Sequence, residues 1–253
     1  MYTEEQFIEL ESEERQLTEE AILAMFLILG VAKSTLEKEL RDFYSKYGRD
    51  GVVTYAEARK WISEQNHQRR LTALLGVVTG AFALALADLE DHFRKFLIDV
   101  VAKETTFFGV PVDVDKLLTR KWDYNDLYWL ERLEGDIELW RAYVGSDLKR
   151  ALHRGDHLDD VLKQLNKRFD SMNSVLEALG LSESTALGSM AREEIFKKLG
   201  VTNYQFYSNV DERRCEVCGS LHGQIFPISA FEPGVTASPV HKRCRCWEVP
   251  IME

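Results

Sequence analysis

Cysteine is absent from the first 214 positions of this 253-residue chain, and all four cysteines fall between Cys215 and Cys246. A secretion signal is also lacking, because Met1 is followed by Tyr-Thr-Glu-Glu-Gln, with neither a basic nor an apolar segment behind it. Without such a signal we expect a reducing compartment, where disulfide bonds are rare. Four cysteines gathered in one short stretch therefore predict a local cross-link of another kind, with two disulfides or four free thiols as the alternatives.

The sequence contains none of the short motifs that indicate catalysis. It has no HExxH motif, no HxE motif upstream of PCxxC as in the zinc deaminases, and no glycine-rich loop that would cradle a phosphate. No Ser/His/Asp set and no pair of acids stands out either. We therefore predict that the protein is not an enzyme and has no small-molecule substrate.

Positive charge is scarce, with 32 lysines and arginines against 42 acids and a net charge of -10. This balance argues against a protein whose whole surface binds nucleic acid. Residues 1–20 alone carry eight glutamates against one arginine, so this acidic arm has a net charge of -7. Such a segment is typical of a solvated helix face or a mobile end, and a docking arm for a basic partner is the sharper hypothesis.

Long apolar runs are few. Residues 21–32 form an apolar run of twelve, too short for a membrane span, and residues 71–87 form an uncharged run of seventeen, which reaches the lower limit. Beyond Asp88 the second run continues into Leu89 and Phe93 at helical spacing, as a helix buried in a bundle would. We therefore predict buried helices and no membrane partner.

Apolar residues recur at helical spacing over most of residues 21–200, which predicts a helical body. Thr18 is the expected N-cap of the first helix, and another helix is expected to begin at Ser182 or Ser184. Gly200 fits a left-handed cap at the end of that helix.

The cysteines and a nearby histidine have the spacing of a metal site. Cys215-x-x-Cys218 and His241-x-x-Cys244 each place two ligands within reach of one tetrahedral ion, which favours zinc. Cys246 and His222 are further candidates, so the segment offers more than four ligands. We expect Cys215, Cys218 and Cys244, with His241 or Cys246 as the fourth. A site filled by protein ligands predicts structural zinc.

After Gly200 the pattern alternates with a period of two. Residues 204–210, 224–226 and 245–249 are predicted strands, and a loop rich in Pro, Gly and Ser separates the last two. Strands this short need support beyond their own core, which zinc would supply. The predicted fold class is mainly α, a helical body with a small C-terminal antiparallel β module pinned by a zinc site (α+β).

Basic residues flank the predicted zinc site and are candidates for contact with DNA. They are Arg213, Arg214, Lys242, Arg243 and Arg245. Acids are interleaved with them, which favours a solvated rim, so any DNA contact is expected to be local and weak.

The order of these features resembles the tailed-phage minor head protein family, also called head morphogenesis or Mu F-like proteins. The resemblance lies in Asp211-x-Arg213-x-Cys215-x-x-Cys218, in Leu221-x-Gly223 with an aromatic soon after, and in the closing Pro239-x-His241-x-x-Cys244-Arg245-Cys246. It is dense over residues 121–250. Two positions depart from the family's pattern: His222 stands where Asp is frequent, and Lys242 where Pro commonly follows the histidine.

The resemblance implies a low-copy virion component of a phage or prophage without catalytic activity. Such a protein joins the procapsid in the host cytoplasm, associates with the portal and with capsid or scaffold proteins, and resides in the head interior or at the portal vertex; contact with packaged DNA is also allowed. The alternatives are a nucleic-acid-binding zinc module and, less favoured, a metal-dependent nuclease. The predicted regions are an acidic N-terminal arm (1–20), a helical N-terminal region (21–110), the helical core of the Mu F-like domain (111–200) and the zinc-pinned β module (201–253).

Overall fold

The computed structural model describes residues 4–53, 65–122 and 125–251. Within these ranges the chain is mainly helical and ends in a small antiparallel sheet, so that part of the predicted fold class is confirmed. The helices are α1 (Glu4–Tyr47), α2 (Gln65–Phe108), α3 (Val114–Leu118), α4 (Trp129–Arg154), α5 (Leu158–Lys198) and α6 (Glu216–Leu221). The strands are β1 (Asn203–Ser208), β2 (Ile225–Pro227) and β3 (Cys246–Ile251).

The chain forms two compact units. The first contains Met1–Leu23, Asp91–Arg132 and Leu176–Glu253, and therefore holds the whole sheet. The second contains Ala24–Glu90 and Leu133–Val175. The second unit is helical, and its apolar side chains include Phe82 and Phe169, whose rings stack with centroids 6.0 Å apart.

The sheet has the order β2-β1-β3, with both neighbours antiparallel to β1. Tyr204, Phe206 and Ser208 of β1 are buried and alternate with less buried residues, as the period of two predicted. Ser208 pairs with Cys246, so the first residue of β3 is held against the end of β1. Three strands were predicted, and each is present within a few residues of its expected bounds.

Two predicted helix starts are wrong. Helix α1 begins at Glu4 and runs through Thr18, and helix α5 runs unbroken through Ser182 and Ser184. The Thr18 hydroxyl donates to the Glu14 carbonyl at 2.8 Å, and the Ser182 hydroxyl donates to the Ala178 carbonyl at 2.7 Å. Because these hydroxyls bond to the preceding turn, they do not cap a new helix. The predicted end at Gly200 is right, since Gly200 has a φ of 73°.

One described helix is long and apolar enough to cross a membrane by length and composition, over Thr72–Phe108. The same stretch buries Leu74, Val78, Phe82, Leu89 and Phe93 at helical spacing. A core helix of a soluble protein meets the same criterion. The absence of a membrane partner therefore stays a prediction.

Candidate metal centre

The candidate ligands lie on a short helix and on the segment that leads into the last strand. Cys215 is the N-cap of α6, and its sulfur accepts a hydrogen bond from the Cys218 amide at 3.3 Å. Cys218 follows in the first turn of the same helix, so the Cys-x-x-Cys spacing directs both sulfurs to one side. Cys244 precedes β3, and Cys246 begins it. A helix N-terminus and a strand edge thus bring together residues distant in sequence.

The structure places all five predicted ligands in one cluster. The Nε2 atom of His241 lies 3.3 Å from the Cys215 sulfur and 3.1 Å from the Cys218 sulfur, and the sulfurs of Cys218 and Cys244 are 3.9 Å apart. Tetrahedral zinc with Zn–S bonds of about 2.3 Å separates two sulfurs by about 3.8 Å. The ligand atoms form two overlapping groups, Cys215/Cys218/His241 and Cys218/Cys244/Cys246, which share Cys218.

The two histidines of this segment have different roles. The Nδ1 atom of His241 lies 2.8 Å from the Lys242 carbonyl, to which it donates, so the lone pair of Nε2 faces the cysteine sulfurs. Backbone contacts of this kind orient metal-binding imidazoles. His222 instead uses its Nδ1 to accept the Ser208 amide at 3.1 Å, and its ring contacts Tyr207. Of the two histidines, only His241 presents a free ring nitrogen to the thiols.

Without a cation, the clustered thiols cannot all ionise together. Hydrogen bonds from Cys218 and Cys246 lower the pKa of Cys244 far below its ordinary value. The hydrogen bonds with Cys244, followed by burial, raise the pKa of both Cys218 and Cys246. The hydrogen bond that the Cys218 amide donates to the Cys215 sulfur lowers the pKa of Cys215. Because a second buried thiolate is opposed by the first, a divalent cation is the group that would allow several thiolates to coexist.

None of the four cysteines forms a disulfide bond. Cys218, Cys244 and Cys246 are buried, and Phe206 packs with them into a small cluster that Leu221, Phe226 and Val240 border. The apolar core of this part of the sheet therefore consists largely of cysteine. Such a core is marginal without a cross-link, and the donor set of three or four thiolates and an imidazole fits zinc.

Helix α5 supports the loop that carries Cys244, a contact that the sequence did not indicate. The Thr185 hydroxyl lies 2.9 Å from the Cys244 carbonyl, and the Arg243 amide donates to the Ser182 hydroxyl at 3.0 Å. Arg243 has a φ of 61°, a conformation that is uncommon for residues other than glycine. Of the hydroxyls interpreted as helix starts, that of Ser182 thus contacts the ligand loop.

The predicted DNA-contacting residues divide into two sets. Arg245 contacts Asp211 at 2.7 and 2.8 Å, and this hydrogen bond lowers the pKa of Asp211 to about 2. Arg243 contacts Glu177 at 3.2 Å. Arg213, Arg214 and Lys242 are exposed. The exposed acids Asp211, Glu212 and Glu216 lie near them in sequence, as expected for a solvated rim.

These features define a class: a mainly helical protein with a small β module built around a cysteine and histidine centre. Residues 142–249 match the family described as Phage Mu protein F like protein, which confirms the resemblance seen in the sequence. For these matched residues the family suggests a role in phage head morphogenesis, which is consistent with a location in the virion or its assembly. Comparison with curated proteins and with solved structures yields no significant match.

Proposed function

We propose that the protein is a minor capsid protein of a phage or prophage that associates with the portal during procapsid assembly and DNA packaging or delivery. The match of residues 142–249 to the Mu F-like family carries this proposal. The role is structural rather than catalytic. Within it, the cysteine and histidine centre binds one zinc ion, which ties α6 and the ligand loop to the sheet and stabilises the end of the module whose core consists largely of cysteine.

Association with the portal predicts co-purification. When the full chain and the portal protein of the same phage or prophage are produced together, the tagged portal should retain the chain through size-exclusion chromatography. A tagged major capsid protein is the matched control for adhesion to any head protein. If the chain elutes separately from the portal protein and is not found in procapsids, the predicted association with the portal is wrong.

A nucleic-acid-binding zinc module is the second candidate, favoured by the exposed Arg213, Arg214 and Lys242 beside the ligands. Titration with duplex DNA should show a weak affinity that falls as salt rises, because each phosphate contact releases a counterion. Arg213→Ala with Arg214→Ala should lower the slope of log affinity against log salt by about 1 for each phosphate contact removed. No salt-dependent affinity at low salt would dismiss this candidate.

A further inference from the structure

The first unit buries one arginine among four glutamates. Arg192 of α5 is almost inaccessible, and its Nη2 atom lies 2.6 Å from Glu11, 3.0 Å from Glu14 and 2.5 Å from Glu104. Its Nη1 atom lies 3.4 Å from Glu248 of β3. Glu104 and Glu248 are fully buried, and Glu14 is nearly so. One cation therefore faces four carboxyl groups in a place that water barely reaches.

Four ionised carboxylates would leave an excess of three negative charges, which a buried site cannot hold. The geometry shows where one of these charges is removed. Glu14 and Glu104 lie within hydrogen-bonding reach of each other, and neither oxygen of Glu104 has a hydrogen bond of good geometry although Oε1 touches Arg192. The Oε1 atom of Glu14 also lacks a hydrogen-bond partner. Two carboxyl groups in contact are satisfied when one carries a proton and donates it to the other.

The carboxyl groups of Glu14 and Glu104 lie close to the backbone of α5. A Cβ atom on Gly188 would lie 3.5 Å from Oε1 of Glu104 and 3.7 Å from Oε2 of Glu14, which is ordinary van der Waals contact. A cavity of about 50 Å³ adjoins Glu11, Glu14 and Arg192. The other titratable or charged residues that line this cavity are Arg15, Cys244, Arg245 and Cys246.

We propose that Glu14 and Glu104 share one proton in the folded protein, and that this proton holds the N-terminal part of α1 (residues 4–23) against the rest of the first unit. Loss of the proton places a further negative charge in the cluster and opens the segment. Residues 4–23 are then a latch that closes when the pair is protonated and opens when the proton is lost. The proposal depends neither on zinc nor on the portal.

The direction of the pH effect follows from linkage. Burial, followed by the charge of Glu104, raises the pKa of Glu14 well above its ordinary value, and burial raises the pKa of Glu11 to about 7. The docked segment therefore binds protons that the open segment releases. The docked state thus loses stability relative to the open state as the pH rises above about 4.5. Each retained proton changes the opening equilibrium by up to tenfold per pH unit.

Hydrogen exchange on the full chain tests the latch. Protection factors for residues 4–23, corrected for the chemical exchange rate at each pH, should fall between pH 6 and pH 9 by up to tenfold per unit for each proton that the docked segment retains. Glu14→Gln keeps a donor without a charge, so it should remove most of this dependence; Glu104→Gln is the second variant. Glu9→Gln, at an exposed position of α1, is the matched control and should keep the wild-type slope.

Three results would overturn the proposal. An unchanged slope in both Glu14→Gln and Glu104→Gln would show that the proton lies elsewhere. A slope flattened equally by Glu9→Gln would indicate a general charge effect. Restoration of protection at high pH by added magnesium would show that a cation neutralises the pair. In the supporting case, the side-chain carboxyl carbon resonance of Glu14 titrates with a raised pKa.

Discussion

Cys218→Ser is expected to abolish zinc binding and to unfold α6 and the ligand loop while the long helices remain. Cys218 belongs to both groups of clustered ligand atoms, and its sulfur contacts both His241 and Cys244. Structural zinc binds with an apparent free energy of about 10–16 kcal/mol in small zinc domains, so the loss of a shared ligand removes several kcal/mol from the part of the module whose core is mainly cysteine. The zinc content measured by elemental analysis should fall from one per chain to nearly none, with rapid proteolysis within α6 and the ligand loop.

Two further variants identify the fourth ligand and serve as controls for Cys218→Ser. If His241 completes the site, His241→Gln loses zinc and Cys246→Ser retains it; if Cys246 does, the outcomes reverse. Far-ultraviolet circular dichroism should change little in any of them, because the long helices do not depend on the metal. Fresh, reduced wild-type protein that contains almost no zinc would refute the zinc site itself.

Local spacing accounts for what the sequence predicted well. Cys215 and Cys218 are three positions apart at the start of a helix, and such neighbours meet whatever the rest of the chain does. The β strands were likewise visible because burial on one face imposes a period of two on residues 203–208. The spacing of apolar residues identified the long helices for the same reason, because that spacing lies within each helix and does not depend on distant residues.

Contacts between the long helices of the first unit were not predicted. Arg192 meets Glu11 and Glu14 across separations of 181 and 178 positions, and no local pattern links them. A signal existed, because Arg192 lies between Ala191 and Ile195 on the apolar side of its helix, where an arginine needs buried partners. Helix starts failed for a related reason: the hydroxyl of Thr18 can cap a helix or bond back within one, and tertiary packing decides.

Arg192→Leu is expected to destabilise the first unit by about 3–5 kcal/mol near neutral pH, because it leaves four carboxyl groups buried without their cation. The loss should be smaller at pH 5 than at pH 8. Burial raises the pKa values of Glu11, Glu14 and Glu248, and Arg192 opposes that rise. Without the arginine these groups are neutral over a wider range, and the folded state is penalised only where they must ionise.

The matched control is Arg94→Leu, which removes an arginine from an exposed pair with Asp115 in the same unit. Exposed pairs contribute at most about 1 kcal/mol, so this variant should barely change stability at either pH. Denaturant unfolding monitored by hydrogen exchange of residues 176–198 measures both variants in the intact chain. Equal, small losses for the two would mean that Arg192 does not neutralise the cluster, whereas a large, pH-dependent loss at Arg192 alone assigns it the role of central counter-ion, around which the acidic arm folds.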